Sequence, residues 1–96
     1  MKHFQIETDK NIAYTKAGCS HCARAKELLK EYGIPYIERD IVEHPEYMEE
    51  LMSLMGEILE PGSMVTTPQI WFMGEYIGGE TELEKYLGYT SGVALR

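Results

Sequence analysis

The sequence predicts a small α/β domain, and three observations predict it. An extended run, Asn11 to Thr15, gives way at Ala17 and Gly18 to a helical pattern, and a second extended run follows closely. A strand, helix, strand order with so short a connection implies a parallel pair joined by a right-handed crossover. After a second helical pattern, Pro68 precedes two short β-prone runs that read as a hairpin. With 96 residues, the chain suits a single domain, 1–96, built on one core.

The elements follow in chain order. Phe4, Gln5, Ile6 and Glu7 alternate, so residues 1–10 either add a weak extra strand that turns at Thr8-Asp9-Lys10 or lie as a loose arm. Beyond the Asn11 strand, Ala25, Leu28, Leu29 and Tyr32 mark one face of an amphipathic helix, and Tyr32-Gly33 stops it. Ile34 to Ile41 reads as the second strand, entered at Pro35. A second helix starts at Glu43-His44-Pro45, because proline is well tolerated in a first turn. Its Tyr47, Leu51, Leu54, Met55 and Ile58 recur at helical spacing until Glu60-Pro61-Gly62-Ser63 breaks it. Gln69 to Met73 forms a strand, Gly74-Glu75 a tight turn and Tyr76 to Gly78 the returning arm. The last helix opens at Gly78-Gly79-Glu80-Thr81, carries Leu83, Tyr86 and Leu87 inward and ends at Gly88, with no periodicity from Tyr89 to Arg96. Trp71 reads as hairpin core, the methionines at 48, 52, 55 and 64 as core filler or helix surface, and the acidic run from Glu38 to Glu60 as a solvated face.

The chemistry concentrates in Lys16 to Ala25, where Cys19 and Cys22 stand two residues apart at the turn from strand into helix. A helix start offers unpaired N–H groups and the positive end of the dipole, which favour a thiolate, so Cys19 is the expected nucleophile. Cys22, about one turn on, is placed to attack a mixed disulfide on Cys19 and close a small ring. Half a zinc site is the bland alternative. Zinc would want two further ligands, and His3, His21 and His44 are scattered, so a redox pair is favoured. The formal net charge of −7 argues against a nucleic-acid partner. No apolar run approaches membrane-spanning length, and the first ten residues lack a signal-peptide core, so a cytoplasmic monomer is expected. In a reducing compartment a lone cysteine pair is more often catalytic than structural.

Taken together, the CxxC helix start, Tyr14-Thr15-Lys16 before it, Thr66-Thr67-Pro68 before a hairpin and Ile77-Gly78-Gly79 after it resemble the glutaredoxins, over roughly Ile12 to Leu87. The resemblance implies a thioredoxin-like fold, a four-stranded mixed sheet with three helices. It also implies a glutathione-dependent reduction of protein disulfides and glutathione mixed disulfides through Cys19 and Cys22. By the same resemblance, Lys16 lies beside the thiolate and the glutathione glycine carboxylate, where an ammonium lowers a thiol pKa. Pro68 is cis, which turns the Thr67 backbone toward the cysteines to pair with substrate like an added strand. Gly78 and Gly79 let the backbone approach glutathione, while Glu80, Thr81 and Glu82 at the helix start receive its γ-glutamyl end. Tyr14 reads as a strand residue packed near the site, not as a catalytic acid.

Two departures from the family pattern matter. Many dithiol glutaredoxins have proline then tyrosine between the cysteines, where this chain has Ser20 and His21. His21 is either neutral and hydrogen-bonded to glutathione or protonated and stabilising the Cys19 thiolate, and its charge changes near physiological pH. Members lacking that proline sometimes hold a [2Fe–2S] cluster between two protomers, which makes a cluster carrier the competing reading. The family also commonly places a basic residue or glutamine shortly before the Thr-x-Pro motif, and residues 56–67 contain neither. Glutathione affinity then rests more on Lys16, or a protein disulfide is preferred. The long connection from Glu57 to Val65 looks similar to that of some virus-encoded glutaredoxins that supply electrons to ribonucleotide reductase. Reduction by thioredoxin reductase in place of glutathione is a further alternative.

Overall fold

The computed structural model describes residues 4–91, with side chains as far as residue 88. The elements run β1 (Asn11–Thr15), α1 (Ser20–Glu31), β2 (Ile37–Asp40), α2 (Pro45–Gly56), β3 (Gln69–Phe72), β4 (Glu75–Gly78) and α3 (Glu80–Ser91). The four strands form one sheet in the order β2-β1-β3-β4. β1 pairs parallel with β2 and antiparallel with β3, and β4 returns antiparallel beside β3, so the sheet is mixed.

Both central strands are covered on two faces, and the period-2 alternation of side chains sorts them. Ala13, Ile70 and Phe72 face α1 and α3, joining Ala25, Leu28, Leu29, Leu83 and Leu87. Ile12, Tyr14 and Trp71 face the other way and join Ile41, Leu51 and Met55. Trp71 is therefore core, 3 % exposed, with Tyr14 edge-on to it. No helix among the described residues is long and apolar enough to cross a membrane.

Several local expectations need correction. No strand forms within residues 4–10, yet the arm is not loose. The Phe4 N–H donates to Ser53 Oγ at 3.1 Å, Ile6 packs on the α2 side of the core and Glu7 pairs with Arg39. β2 starts at Ile37, three residues later than expected. Gly33 takes φ +66 and Pro35 offers no N–H for pairing; its carbonyl instead accepts the Asn11 side chain at 3.0 Å. α2 ends at Gly56, leaving Ile58 beyond it and exposed.

In the hairpin the two turn residues are Met73 (φ +50) and Gly74 (φ +88), one position earlier than the sequence suggests, because Phe72 pairs with Glu75. Two consecutive left-handed residues match the right-handed twist of the flanking strands. α3 continues through Gly88 to Ser91. An interior glycine costs about 1 kcal/mol relative to alanine, which burial of Leu83 and Leu87 on the same helix outweighs. The remaining tail, residues 92–96, lies outside the described residues, as do residues 1–3.

The acidic run is not uniformly solvated. Glu50 accepts hydrogen bonds from Arg39 and from the Tyr14 hydroxyl, at 3.0 and 2.8 Å, and Glu38 accepts from Thr15 and Lys26, at 2.6 and 3.0 Å. Of the methionines, Met55 is buried, while Met48, Met52 and Met64 are exposed.

Candidate active site

β1 delivers the chain to one end of the sheet, and Gly18 (φ +78) lets it turn sharply into α1. Cys19 is the N-cap of α1, with extended backbone (φ −97, ψ 113), and its Sγ accepts the Cys22 N–H at 3.2 Å. Sulfur thus occupies the place usually held by a serine or aspartate oxygen. Both cysteines are free; Cys19 is half-buried and Cys22 is 1 % exposed. The outer sulfur can meet a substrate, and the inner one only a partner already bound to Cys19.

Across from the helix start, the Thr67-Pro68 peptide is cis, and Thr67 faces Cys19 twice. Thr67 Oγ1 donates to Cys19 Sγ at 3.5 Å, and the protonated thiol donates to the Thr67 carbonyl at the same distance. Once the proton leaves, that carbonyl loses its donor and is available to a substrate N–H. The shelf is held from below. Gln69 donates to the Thr66 carbonyl at 3.1 Å, and Tyr76 donates to Gln69 Oε1 at 2.6 Å.

These contacts set the ionisation of the two sulfurs. Partial burial raises the Cys19 pKa, but hydrogen bonds from Cys22, Thr67 and the backbone N–H groups of Cys22 and His21 outweigh it, and the net shift is downward. Burial, then the hydrogen bond to Cys19, pushes the Cys22 thiol up. The pair is therefore polarised into an ionisable outer sulfur and a protonated inner one.

A groove of about 290 Å³ opens beside Cys19, lined by His21, Thr66, Thr67, Pro68, Gly79, Glu80, Thr81 and Glu82. Of the candidate binding residues, His21, Thr67, Pro68, Gly79, Glu80 and Thr81 converge here. Lys16 does not line the groove and is exposed on the approach to α1. Tyr14 is fully buried on the α2 side of the sheet; burial raises its phenol pKa, and its hydroxyl is engaged with Glu50 and Arg39.

Gly78 takes φ +120 and lies against Glu82, whose Cβ would be 2.8 Å from any Cβ at position 78. Gly79 precedes α3 at its cap position: its carbonyl accepts the Leu83 N–H at 2.9 Å, and its own N–H is already capped by Glu82 Oε1 at 2.9 Å. The N–H groups of Glu80 and Thr81 are thus the first helix-start donors that a ligand carboxylate can reach.

Sequence reasoning misses three arrangements. Thr66 and Gln69 are seen as shelf supports only once the chain is folded. Glu82, expected among the ligand contacts, uses a carboxylate oxygen as a cap. The third is the pairing of His21 Nδ1 with Glu80 Oε1 at 2.7 Å, between residues 59 positions apart. Among the described residues, no group of three or more His, Cys, Asp or Glu side chains converges to hold a metal ion.

Comparison with known proteins agrees with this geometry. A protein-family model described as Glutaredoxin matches residues 12–77. The chain is 36% identical over 73 residues to the hybrid peroxiredoxin hyPrx5 of Haemophilus influenzae, a match covering 76% of this chain and 27% of the relative. It is 35% identical over 72 residues to a glutaredoxin of Pseudomonas aeruginosa, covering 75% of this chain and 77% of that one. Among solved structures, the glutaredoxin of Brucella melitensis is 33% identical, with a TM-score of 0.64 over 85% of both chains. The chain thus spans about a quarter of the hybrid protein and most of the two stand-alone ones.

Proposed function

The chain belongs to the glutaredoxin family, whose members are thiol–disulfide oxidoreductases, and we propose that it works with glutathione, reducing glutathione mixed disulfides and protein disulfides in the cytoplasm. The observation that carries this reading is the polarised pair. Cys19 caps a helix start beside an open groove, while Cys22 lies buried one turn behind it.

The Cys19 thiolate attacks the sulfur of a substrate disulfide; the new Cys19–S bond forms as the old S–S bond breaks, and the other half leaves as a thiolate. For a protein disulfide, the Cys22 sulfur, losing its proton, attacks Cys19, expelling the reduced product and leaving an intramolecular disulfide. Two glutathiones reopen it, ending as oxidised glutathione. For a glutathionylated substrate, Cys19 takes up the glutathionyl group and a second glutathione removes it, so Cys22 is not required. The Thr67 backbone supports an extended substrate segment, and the N–H groups of Glu80 and Thr81 support the γ-glutamyl carboxylate. Ribonucleotide reductase is the protein substrate to try first, because of the Glu57 to Val65 connection. A cluster-carrier role, with Cys19 of two protomers and two glutathiones as ligands, draws on Ser20 alone.

The test is turnover of a glutathionylated peptide with glutathione and glutathione reductase, run beside thioredoxin reductase without glutathione. The expected result is turnover in the first arm and little in the second. Turnover supported by thioredoxin reductase alone would replace this reading with that of a thioredoxin-like electron carrier.

A further inference from the structure

His21 and Glu80 meet across the rim of the groove, Nδ1 to Oε1 at 2.7 Å, joining α1 to α3. Their exposures differ sharply. The imidazole is 71% exposed, whereas the carboxylate beneath it is 21% exposed. Glu80 is thus an inward-set acid lidded by an imidazole of the protein's own. Glu82, the other groove carboxylate, caps the Gly79 N–H through Oε1, which leaves Glu80 the better placed of the two for a ligand ammonium.

We propose that protonated His21 competes with the substrate's α-ammonium for Glu80, making His21 a pH-dependent selectivity residue for ammonium-bearing ligands such as the γ-glutamyl group. This rests on the glutathione reading above. One carboxylate cannot hold both cations in the same geometry, so the ammonium gains full access only when the imidazole has lost its charge.

The sign follows from the groups that face the imidazole. The hydrogen bond to Glu80, then its charge, then the Cys19 thiolate raise the His21 pKa above its ordinary value. From the same helices, Arg24 is engaged with Glu27 and Glu84, at 3.3 and 3.8 Å, and Glu82 caps α3. Below its raised pKa, His21 holds Glu80; as pH rises through that value, the hold weakens and Glu80 becomes available. Formation of the mixed disulfide removes the Cys19 charge and weakens the hold further.

The experiment compares a peptide carrying a glutathione mixed disulfide with the same peptide carrying N-acetylglutathione, between about pH 5.5 and 7.5, where the substrate's α-ammonium keeps its charge while the imidazole titrates. Both react with the same thiolate, so the ratio of their kcat/KM values cancels Cys19 ionisation. For the wild type, the ratio should rise with pH by about two- to fivefold, the scale of an exposed ion pair. In His21→Gln it should be high and flat, and in Glu80→Gln low and flat. Proton NMR of the His21 imidazole should show its titration moving to lower pH in Glu80→Gln. A wild-type ratio independent of pH, or an unchanged His21 titration in Glu80→Gln, would overturn the proposal while leaving the glutathione reading intact. No turnover of either peptide at any pH would overturn both.

Discussion

Cys19→Ser is expected to abolish both reactions, with turnover of glutathionylated peptide and of protein disulfide each falling about a thousandfold or more, as when a covalent nucleophile is removed. Serine keeps a helix-capping oxygen, so the fold should survive. What it lacks is an ionised, polarisable sulfur. Cys22→Ser should separate the two activities. It retains most deglutathionylation, in which Cys19 suffices, and loses most protein-disulfide reduction, in which the second sulfur must release the product. Cys22 is fully inside the fold, at 1 % exposure, so it cannot substitute for Cys19 from its own position. Equal loss of both reactions in Cys22→Ser, measured in the coupled assay, would contradict this division of labour.

The second large effect is on stability. Arg39 is 7 % exposed on an edge strand, with its guanidinium 5.7 Å from the Tyr14 ring centroid and 5.4 Å from that of Tyr47. It donates to Glu7, Glu50 and the Tyr14 hydroxyl, and so ties the N-terminal arm, α2 and the sheet together. Arg39→Met would keep much of the packing volume but leave two partly buried carboxylates without their cation. Breaking a buried pair from one side costs about 3 kcal/mol or more. In a domain of this size that lowers Tm by on the order of 10 °C. Urea unfolding should show the loss. Adding Glu7→Gln and Glu50→Gln to Arg39→Met should recover part of it, because the unpaired charges are then gone. A loss below about 1 kcal/mol would place the cluster among exposed ion pairs, not in the core.

What could be read from the sequence was what local chemistry dictates. The extended runs from Asn11 to Thr15 and from Gln69 to Met73 read as strands, and folding sorts their successive side chains onto opposite faces of a sheet covered on both sides. The turn before Cys19 needs Gly18, and the cysteine spacing places one sulfur at the cap and the other a turn inside. The features that were not legible depend on partners distant in the chain. Arg39, within an acidic run, looks solvent-facing until Glu7 and Glu50, 32 and 11 positions away, close over it. His21 presented two alternatives, and neither included Glu80, because no local pattern links α1 to the start of α3. The N-terminal alternation of Phe4 to Glu7 suggests a strand or a loose arm, but Ile6 packs and Glu7 pairs with Arg39 on the α2 side of the sheet without strand pairing.

The most direct test of the central claim is the pH dependence of Cys19 alkylation by iodoacetamide, with the labelled site identified by mass spectrometry, in folded and urea-unfolded protein. If the helix start and Thr67 hold the outer sulfur ionised, the folded midpoint lies below the unfolded one, and Cys22 stays unlabelled over the same range. A folded midpoint at or above the unfolded one, or labelling of Cys22 ahead of Cys19, would contradict it.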